Sequence, residues 1–332
     1  MPEDTEMTAD QGIVVVSEAA CERLVGRAEA FAAVEAVFAA MARGDARNFP
    51  VVREAIGHAD ALYGFKSGFD KAGLALGVKS GGYWPGNMDK GLTNHQSTVF
   101  LFDPDTGRLK ALVAGNHLTA LRTAAASAVS IAHLARKDAK VLGMIGAGHQ
   151  AGFQLRAAAE RRDFEKVVAW NPHPEMLPRL GAVAADAGLP FEAVSAREVC
   201  ARADVIITIT SAFEPLLMRD WIGPGTHLAC MGTDTKGKQE VDPALVAAAT
   251  VFTDEIAQSV AIGEAQHAIA AGLISEADIV PIGAAIDGAH PGRTTDDEIT
   301  LFDGTGVGLQ DLAVADVAAE RAAADNAPVV RL

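Results

Sequence analysis

The chain has 332 residues, 49% of them hydrophobic and 21% charged, with a formal net charge of −15. That length predicts two domains with ample core, and the acidic balance argues against nucleic acid or an anionic membrane as partner, since both need a basic surface. A small anionic substrate stays compatible, because a few buried arginines outweigh the global charge locally.

Cys21, Cys200 and Cys230 are odd in number and lack metal-ligand spacing, so they are read as reduced thiols of a cytoplasmic protein, and no metal is expected. Residues 1–10 are acidic, without the apolar core of a signal peptide, and are read as a frayed tail. No run approaches the length of a membrane span.

Residues 12–17 predict a short strand, and 17–43 one long amphipathic helix with Ala20, Leu24, Ala28, Phe31, Val34 and Val37 at helical spacing. Between 48 and 115 the pattern turns to β, with strands at 50–54, 61–67, 74–80, 98–103 and 110–114. A D-P-D-T-G-R turn joins the last two as a hairpin, with Gly107 at positive φ. An alanine-rich helix over 117–136 leads into the stretch A-K-V-L-G-M-I-G-A-G-H-Q-A at 139–151.

That stretch is an apolar strand, a turn carrying Gly146 and Gly148, and the start of a helix over 149–162. In this setting a G-x-G-x-x-[GA] string reads as a dinucleotide site. Gly146 permits the tight turn, and Gly148 lets the backbone approach a pyrophosphate. His149 and Gln150 open the helix, whose free N–H groups face the phosphates, and Ala151 lets the helix lie close to the strand. An ordinary glycine-rich corner is the plain alternative.

The period beyond is α/β, with strands at 166–170, 191–194, 204–210, 226–231 and 250–253 and helices at 173–187 and 195–202. This predicts a doubly wound parallel sheet, its ligand lying outside the C-terminal strand ends where Gly146, Asn171, Ser211 and Gly232 fall. A helix follows over 256–271, and a glycine-rich loop opens another helix within 299–311. The residues around Pro328 read as disordered or domain-crossing.

Three segments together, L-F-D-P-D-T-G at 101–107, L-T-A-L-R-T-A-A-A-S-A at 118–128 and G-A-G-H-Q-A at 146–151, resemble the ornithine cyclodeaminase/μ-crystallin family over most of the chain, from Arg53 to Asp311. The resemblance implies an α/β fold: a Rossmann sheet at 126–304 plus an α+β substrate and dimerisation domain at 1–125, completed by 305–332. It also implies a homodimer. Four positions match the family's site. Arg53, Lys79 and Arg122 would surround a substrate carboxylate, while Lys79 and Asp234 would sit beside its nitrogen and α-carbon.

These residue types suit that task on their own chemistry. A planar guanidinium holds a carboxylate through two parallel hydrogen bonds. Reduction of a C=N bond also needs a proton at nitrogen. An ammonium at Lys79 supplies it untuned, whereas Asp234 would need its pKa raised by burial. Lys79 is therefore the expected donor, with Asp234 orienting it or the imine. The plain alternatives are a salt bridge for either arginine, a snorkelling strand-end lysine for Lys79, and a turn former for Asp234.

The second Rossmann strand ends W-N-P-H-P, offering neither the acid usual for NAD nor a clear cation for a 2′-phosphate. NAD(H) is the expected cofactor and NADP(H) the alternative, kept open by His173. Asn94, His95 and Gln96 form a polar cluster ahead of a buried strand, either binding a second substrate carboxylate or making a turn or dimer contact. Thr305 stands where several cyclodeaminases carry a serine-bearing loop. The loop at 80–86, with Tyr83 and Trp84, would line or close the pocket.

The expected activity is reduction of a 2-imino acid, first of all an imino dicarboxylate such as iminosuccinate. A cyclic imino-acid reductase, an alanine dehydrogenase, an ornithine cyclodeaminase recycling bound NAD, and a nucleotide-dependent binder are the alternatives. No G-x-S-x-G, P-loop or H-E-x-x-H string occurs.

Overall fold

The computed structural model describes residues 12–331. The alternating segments in the first third pair as strands β1 (Ile13–Val16), β2 (Ala46–Asn48), β3 (Val52–Ala55), β4 (Leu62–Asp70), β5 (Ala75–Tyr83), β6 (His95–Phe102) and β7 (Leu109–Ala114). Strands β4 to β7 form an antiparallel meander. The expected hairpin turn is present, with Gly107 at φ 72°. Strand β6 begins at His95, so the polar cluster runs into the sheet rather than preceding it.

The second half supplies β8 (Val141–Ile145), β9 (Lys166–Trp170), β10 (Phe191–Ala193), β11 (Val205–Thr208), β12 (Phe213–Leu217), β13 (His227–Cys230), β14 (Gln239–Val241), β15 (Thr250–Thr253), β16 (Ile279–Pro281) and β17 (Thr300–Asp303). Eight of these make one wholly parallel sheet in the order β10-β9-β8-β11-β13-β17-β15-β16. Strand β11 is buried along its length, as a strand covered by helices on both faces must be. Strand order reverses at β8, so the crevice beyond its C-terminal end is the expected ligand position. Strand β17, in the segment expected to be a glycine-rich loop, inserts between β13 and β15. Strands β12 and β14 pair apart from the main sheet.

Three expectations are corrected. The helix expected over 17–43 is two, Glu18–Leu24 and Arg27–Arg43. Gly26 is extended between them, and its N–H donates to Glu29 at 3.0 Å, which starts the second helix afresh. The helix expected over 256–271 breaks at Gly263 and Glu264 into Ile256–Ile262 and Ala265–Ala270, because Glu264 turns inward to accept the backbone N–H groups of Glu240 and Val241. The residues after Pro328 are ordered as β18 (Val329–Val330), antiparallel to β1. This completes a sheet of order β18-β1-β7-β6-β5-β4-β2, with β3 also on β4, and covers what would be an exposed edge. The tail expected at residues 1–10 lies outside the described residues.

Two helices position the site. Asn116–Leu134 is buried on nearly every face, which explains its run of small residues. It packs against both sheets. Helix Gly308–Ala324 returns to the first sheet, with Leu309 against Gly68 and Leu312 against Gly77. At its first residue a side chain would lie 2.8 Å from the Ser67 nitrogen and 3.0 Å from the Lys66 carbonyl carbon.

Substituting Gly308→Val should therefore push this helix off the sheet and cost about 1–3 kcal/mol, as overpacking does. Urea denaturation followed by circular dichroism measures it; an unchanged midpoint would show that the helix docks elsewhere.

Candidate active site

At the reversal point Gly146 takes φ 112°, and a Cβ there would stand 2.6 Å from the Ile209 carbonyl oxygen. Its N–H donates to the Trp170 carbonyl at 2.9 Å. Asn171 accepts from the Ala147 N–H at 3.0 Å and donates to the His173 carbonyl at 2.8 Å. Its amide thus braces the turn. No atom lies within 4 Å of where a Gly148 Cβ would be.

The following helix, Ala151–Ala159, has no side-chain cap at Gln150, which leaves first-turn N–H groups free. Ala151 is fully buried. The Gln150 Oε1 is buried without a hydrogen-bond partner. Open space beside Gly148, an uncapped helix start and an orphaned polar atom together fit a dinucleotide's pyrophosphate. His149 is exposed, its ring tilted on Phe153 at 5.7 Å. Ser211 is exposed just past β11.

Gly232 donates its N–H to the buried Glu240 at 2.9 Å. That carboxylate also takes the Thr208 hydroxyl at 2.7 Å and the Thr210 N–H and hydroxyl at 2.6 and 2.7 Å, tying the ends of β11 and β13 together. Thr305 is buried, and its hydroxyl donates to Asp254 at 2.6 Å. Asn171 and Thr305, expected to contact the cofactor, thus have polar groups engaged with neighbouring loops of the protein.

The second half of the site stands on one face of the first sheet. Lys66 opposes Lys79 across β4 and β5, Arg53 opposes Gly64, and Ser97 opposes Gly81. Side chains alternate along strands, so Arg53, Lys66, Lys79, Ser97 and His95 share that face. Onto it Asn116–Leu134 brings Thr119 and Arg122, and Gly308–Ala324 brings Gln310 and Asp311.

Asp311, 2% exposed, joins the two buried cations: its Oδ2 lies 2.8 Å from Lys79 Nζ, off the line of a good hydrogen bond, and its Oδ1 accepts from Arg122 Nε at 2.9 Å. Lys79 also donates to Thr119 at 3.3 Å, and Arg122 to Gln310 at 3.0 Å. Gln310 in turn donates to Asp254 at 3.2 Å.

A second group stands beside it. Arg53 Nη1 reaches Asp234 Oδ2 at 3.3 Å and the Thr235 hydroxyl at 3.2 Å, and Lys238 Nζ reaches Asp234 Oδ1 at 2.8 Å. The expected residues thus fall into two pairs, Lys79 with Arg122 and Arg53 with Asp234.

Burial dominates the electrostatics. It pulls the Lys79 ammonium down to about 7, against the opposing pull of Asp311. Burial would raise Asp311, but Arg122 and Lys79 override it and hold it at about 2. For Asp234 burial is likewise outweighed, here by Lys238 and Arg53, and the carboxyl falls well below its usual range. Asp234 is an anion. His95 is pushed down to about 3 by burial and the Lys79 charge, so its imidazole is neutral.

Sequence reasoning missed Lys66, Lys238, Gln310 and the carboxylate role of Asp311. None of them stands in a motif, and Lys66 gains meaning only from the β4–β5 register, which sets it opposite Lys79 on the face that carries Arg53.

Residues 12–326 match the sequence profile of the ornithine cyclodeaminase/mu-crystallin family. The chain is 66% identical over 310 residues to the iminosuccinate reductase of Paracoccus denitrificans (strain Pd 1222), covering 93% of this chain and 97% of that one. The crystal structure of the P. denitrificans iminosuccinate reductase in complex with NAD+ has a TM-score of 0.94 to this chain at 64% identity, covering 97% and 100% of the two. An archaeal alanine dehydrogenase dimer with bound NAD has a TM-score of 0.90 at 33% identity, covering 96% and 98%.

Asp311→Asn should cost about 3–5 kcal/mol at pH 7, because it leaves two buried cations facing a neutral amide. The Asp311 pKa is depressed in the folded state, so its stabilisation is present above the unfolded value near 4 and is lost as pH falls toward about 2. Urea midpoints of wild type and variant should converge over that window; a constant gap from pH 7 to pH 2 would contradict the ion pairing.

Proposed function

The chain belongs to the ornithine cyclodeaminase/mu-crystallin family, and on that footing we propose that it is an NADH-dependent imine reductase that converts a 2-imino acid, iminosuccinate, into the amino acid aspartate. The observation that carries this reading is the Asp311-centred pair of cations, Lys79 and Arg122, buried on the face shared with Arg53 and His95. The 66% identity to an iminosuccinate reductase supports the choice of substrate.

Arg122 is oriented by Asp311 and Gln310, which fixes its guanidinium plane for the α-carboxylate. Lys79 holds a proton at Nζ and gives it to the imino nitrogen, recovering it from solvent. Its pKa near 7 suits a general acid working at neutral pH. Asp234, kept anionic by Lys238 and Arg53, stabilises positive charge at that nitrogen. It is an orienting and electrostatic group and not the donor. Arg53 holds Asp234 in place from the sheet and takes part in carboxylate binding.

A dinucleotide fits the turn at Gly146 and Gly148 and the uncapped helix at His149, Gln150 and Ala151, with Asn171, Ser211, Gly232 and Thr305 around it. Bound there, the nicotinamide supplies a hydride to the imino carbon. The NAD+ in the P. denitrificans structure supports NAD(H). The segment Asn171-Pro172-His173 offers no lysine or arginine to a 2′-phosphate, which agrees with that choice.

Residues 1–125 with 305–332 are read as the substrate and dimerisation unit and 126–304 as the nucleotide unit. A homodimer is supported by the dimeric alanine dehydrogenase and by exposed Val52, Ile56, Phe65, Tyr83 and Leu92 on and beside the first sheet. The proposed compartment is the cytoplasm, in keeping with three free, buried cysteines. No helix among the described residues is long and apolar enough to cross a membrane.

Absorbance of the reduced nicotinamide band tests the reaction. Oxaloacetate should drive NADH oxidation only with ammonium present, and faster than pyruvate or glyoxylate. Ammonia release from ornithine without net NADH consumption would instead place the protein among the cyclodeaminases.

Two further outcomes follow from the assignment of Lys79. Lys79→Met should lower kcat by about 100-fold or more, and a near-normal rate would remove it as donor. Because the ammonium form is required, kcat/KM for reduction should fall as pH rises through about 7. A rate flat from pH 6 to 9 would point to another acid.

A further inference from the structure

The charges on the substrate face do not cancel. Asp311 is shared by Lys79 and Arg122, and Asp234 by Arg53 and Lys238. Lys66 is the fifth cation, and among the described residues it forms no ion pair. Its ammonium donates to the Gly306 carbonyl at 2.5 Å. An ammonium has three N–H donors, so two remain for another acceptor.

The position of Lys66 is specific. It lies directly across the β4–β5 ladder from Lys79, and directly opposed residues of an antiparallel pair hold their Cβ atoms about 4.5–5.5 Å apart. Lys79 belongs to the Asp311 group, and β4, which carries Lys66, runs between β5 with Lys79 and β3 with Arg53. Lys66 therefore stands between the two paired groups, on the face a substrate must touch. Burial and the neighbouring Arg122 both disfavour its charge, and an incoming carboxylate would relieve this.

We infer that Lys66 is the specificity residue that binds the second carboxylate of an imino dicarboxylate, Lys79 and Arg122 holding the first. The inference rests on the imine-reductase reading and deepens it. His95, from which a second carboxylate was expected on sequence grounds, is a neutral imidazole here. It can donate one hydrogen bond to that group but cannot neutralise it. The cations of the Asp311 and Asp234 groups, together with Lys66, outnumber the carboxylates of Asp311, Asp234 and the nearby Asp254, which suits a dianion within a chain of net charge −15. A monocarboxylate would leave Lys66 without a counter-charge.

The test is the preference ratio, kcat/KM with oxaloacetate plus ammonium over kcat/KM with pyruvate plus ammonium, in wild type, Lys66→Met and Lys66→Arg. Lys66→Met, which keeps length and removes charge, should lower the ratio by about 100-fold, mostly through KM for the diacid, as loss of one partner of a desolvated charge pair does. Lys66→Arg should recover at least a tenth of it. Equal losses with both substrates, or an unchanged ratio, would overturn the inference; Lys66→Gln serves if the methionine variant fails to fold.

Calorimetric titration of the NADH-loaded protein with succinate and with propionate separates this from the reaction itself. Wild type should bind succinate more tightly and Lys66→Met should lose that advantage, even if oxaloacetate and ammonium prove not to be the substrates. Equal succinate affinity in wild type and Lys66→Met would overturn the inference whatever the activity.

Discussion

A single carboxylate, Asp311, lets a lysine and an arginine stand side by side in the interior. Lys79 and Arg122 are each 6% exposed, and burial of two like charges is prohibitive without an anion between them. Asp311 reaches them from the C-terminal helix, so the site forms only when the end of the chain has folded back onto the first sheet. The small residues Gly68, Gly77 and Gly308 make that contact possible by letting helix and sheet approach closely. Packing and charge are thus one constraint. The same carboxylate sets the chemistry, since it limits how far burial can depress the Lys79 pKa.

The nucleotide end follows a different logic, because its groups are held by backbone geometry. Gly146 is required by the Ile209 carbonyl behind it, and Asn171 spends its amide on the turn. Glu240 draws together the ends of β11 and β13, which places Gly232 and then Asp234 at the edge of the crevice. Helix Asn116–Leu134, buried between the two sheets, carries Arg122 on the same rigid element that supports the Rossmann sheet through Ser130 and His227. Substrate carboxylate and nicotinamide would therefore be positioned from one scaffold, as transfer between them demands.

Much of this was legible in the sequence where the signal is local. The strands Lys166–Trp170 and Thr250–Thr253 have the expected limits, and the turn at Gly146 has the expected form. Local periodicity failed where a tertiary contact intervened. Apolar spacing runs unbroken through Gly26, yet the Gly26–Glu29 bond restarts the helix, and Glu264 leaves its helix to reach β14. Strand β17 escaped because its pairing with β13 joins segments some seventy residues apart. The site divides the same way. Lys79, Arg122, Arg53 and Asp234, the proposed substrate residues, stand in short motifs, whereas the partner of Arg122 lies 189 positions along the chain. Lys66 becomes meaningful only once the β4–β5 register is known.

The Asp311-organised cations are proposed here as a site for two carboxylates beside the nicotinamide. A crystal structure of the protein with NADH and L-aspartate tests it most directly. The α-carboxylate should lie on Arg122 and Lys79, the side-chain carboxylate within hydrogen-bond distance of Lys66 Nζ, and the amino nitrogen beside Lys79 and Asp234. An aspartate whose side-chain carboxylate points away from Lys66 into solvent, or whose α-carboxylate sits away from Arg122, would contradict it.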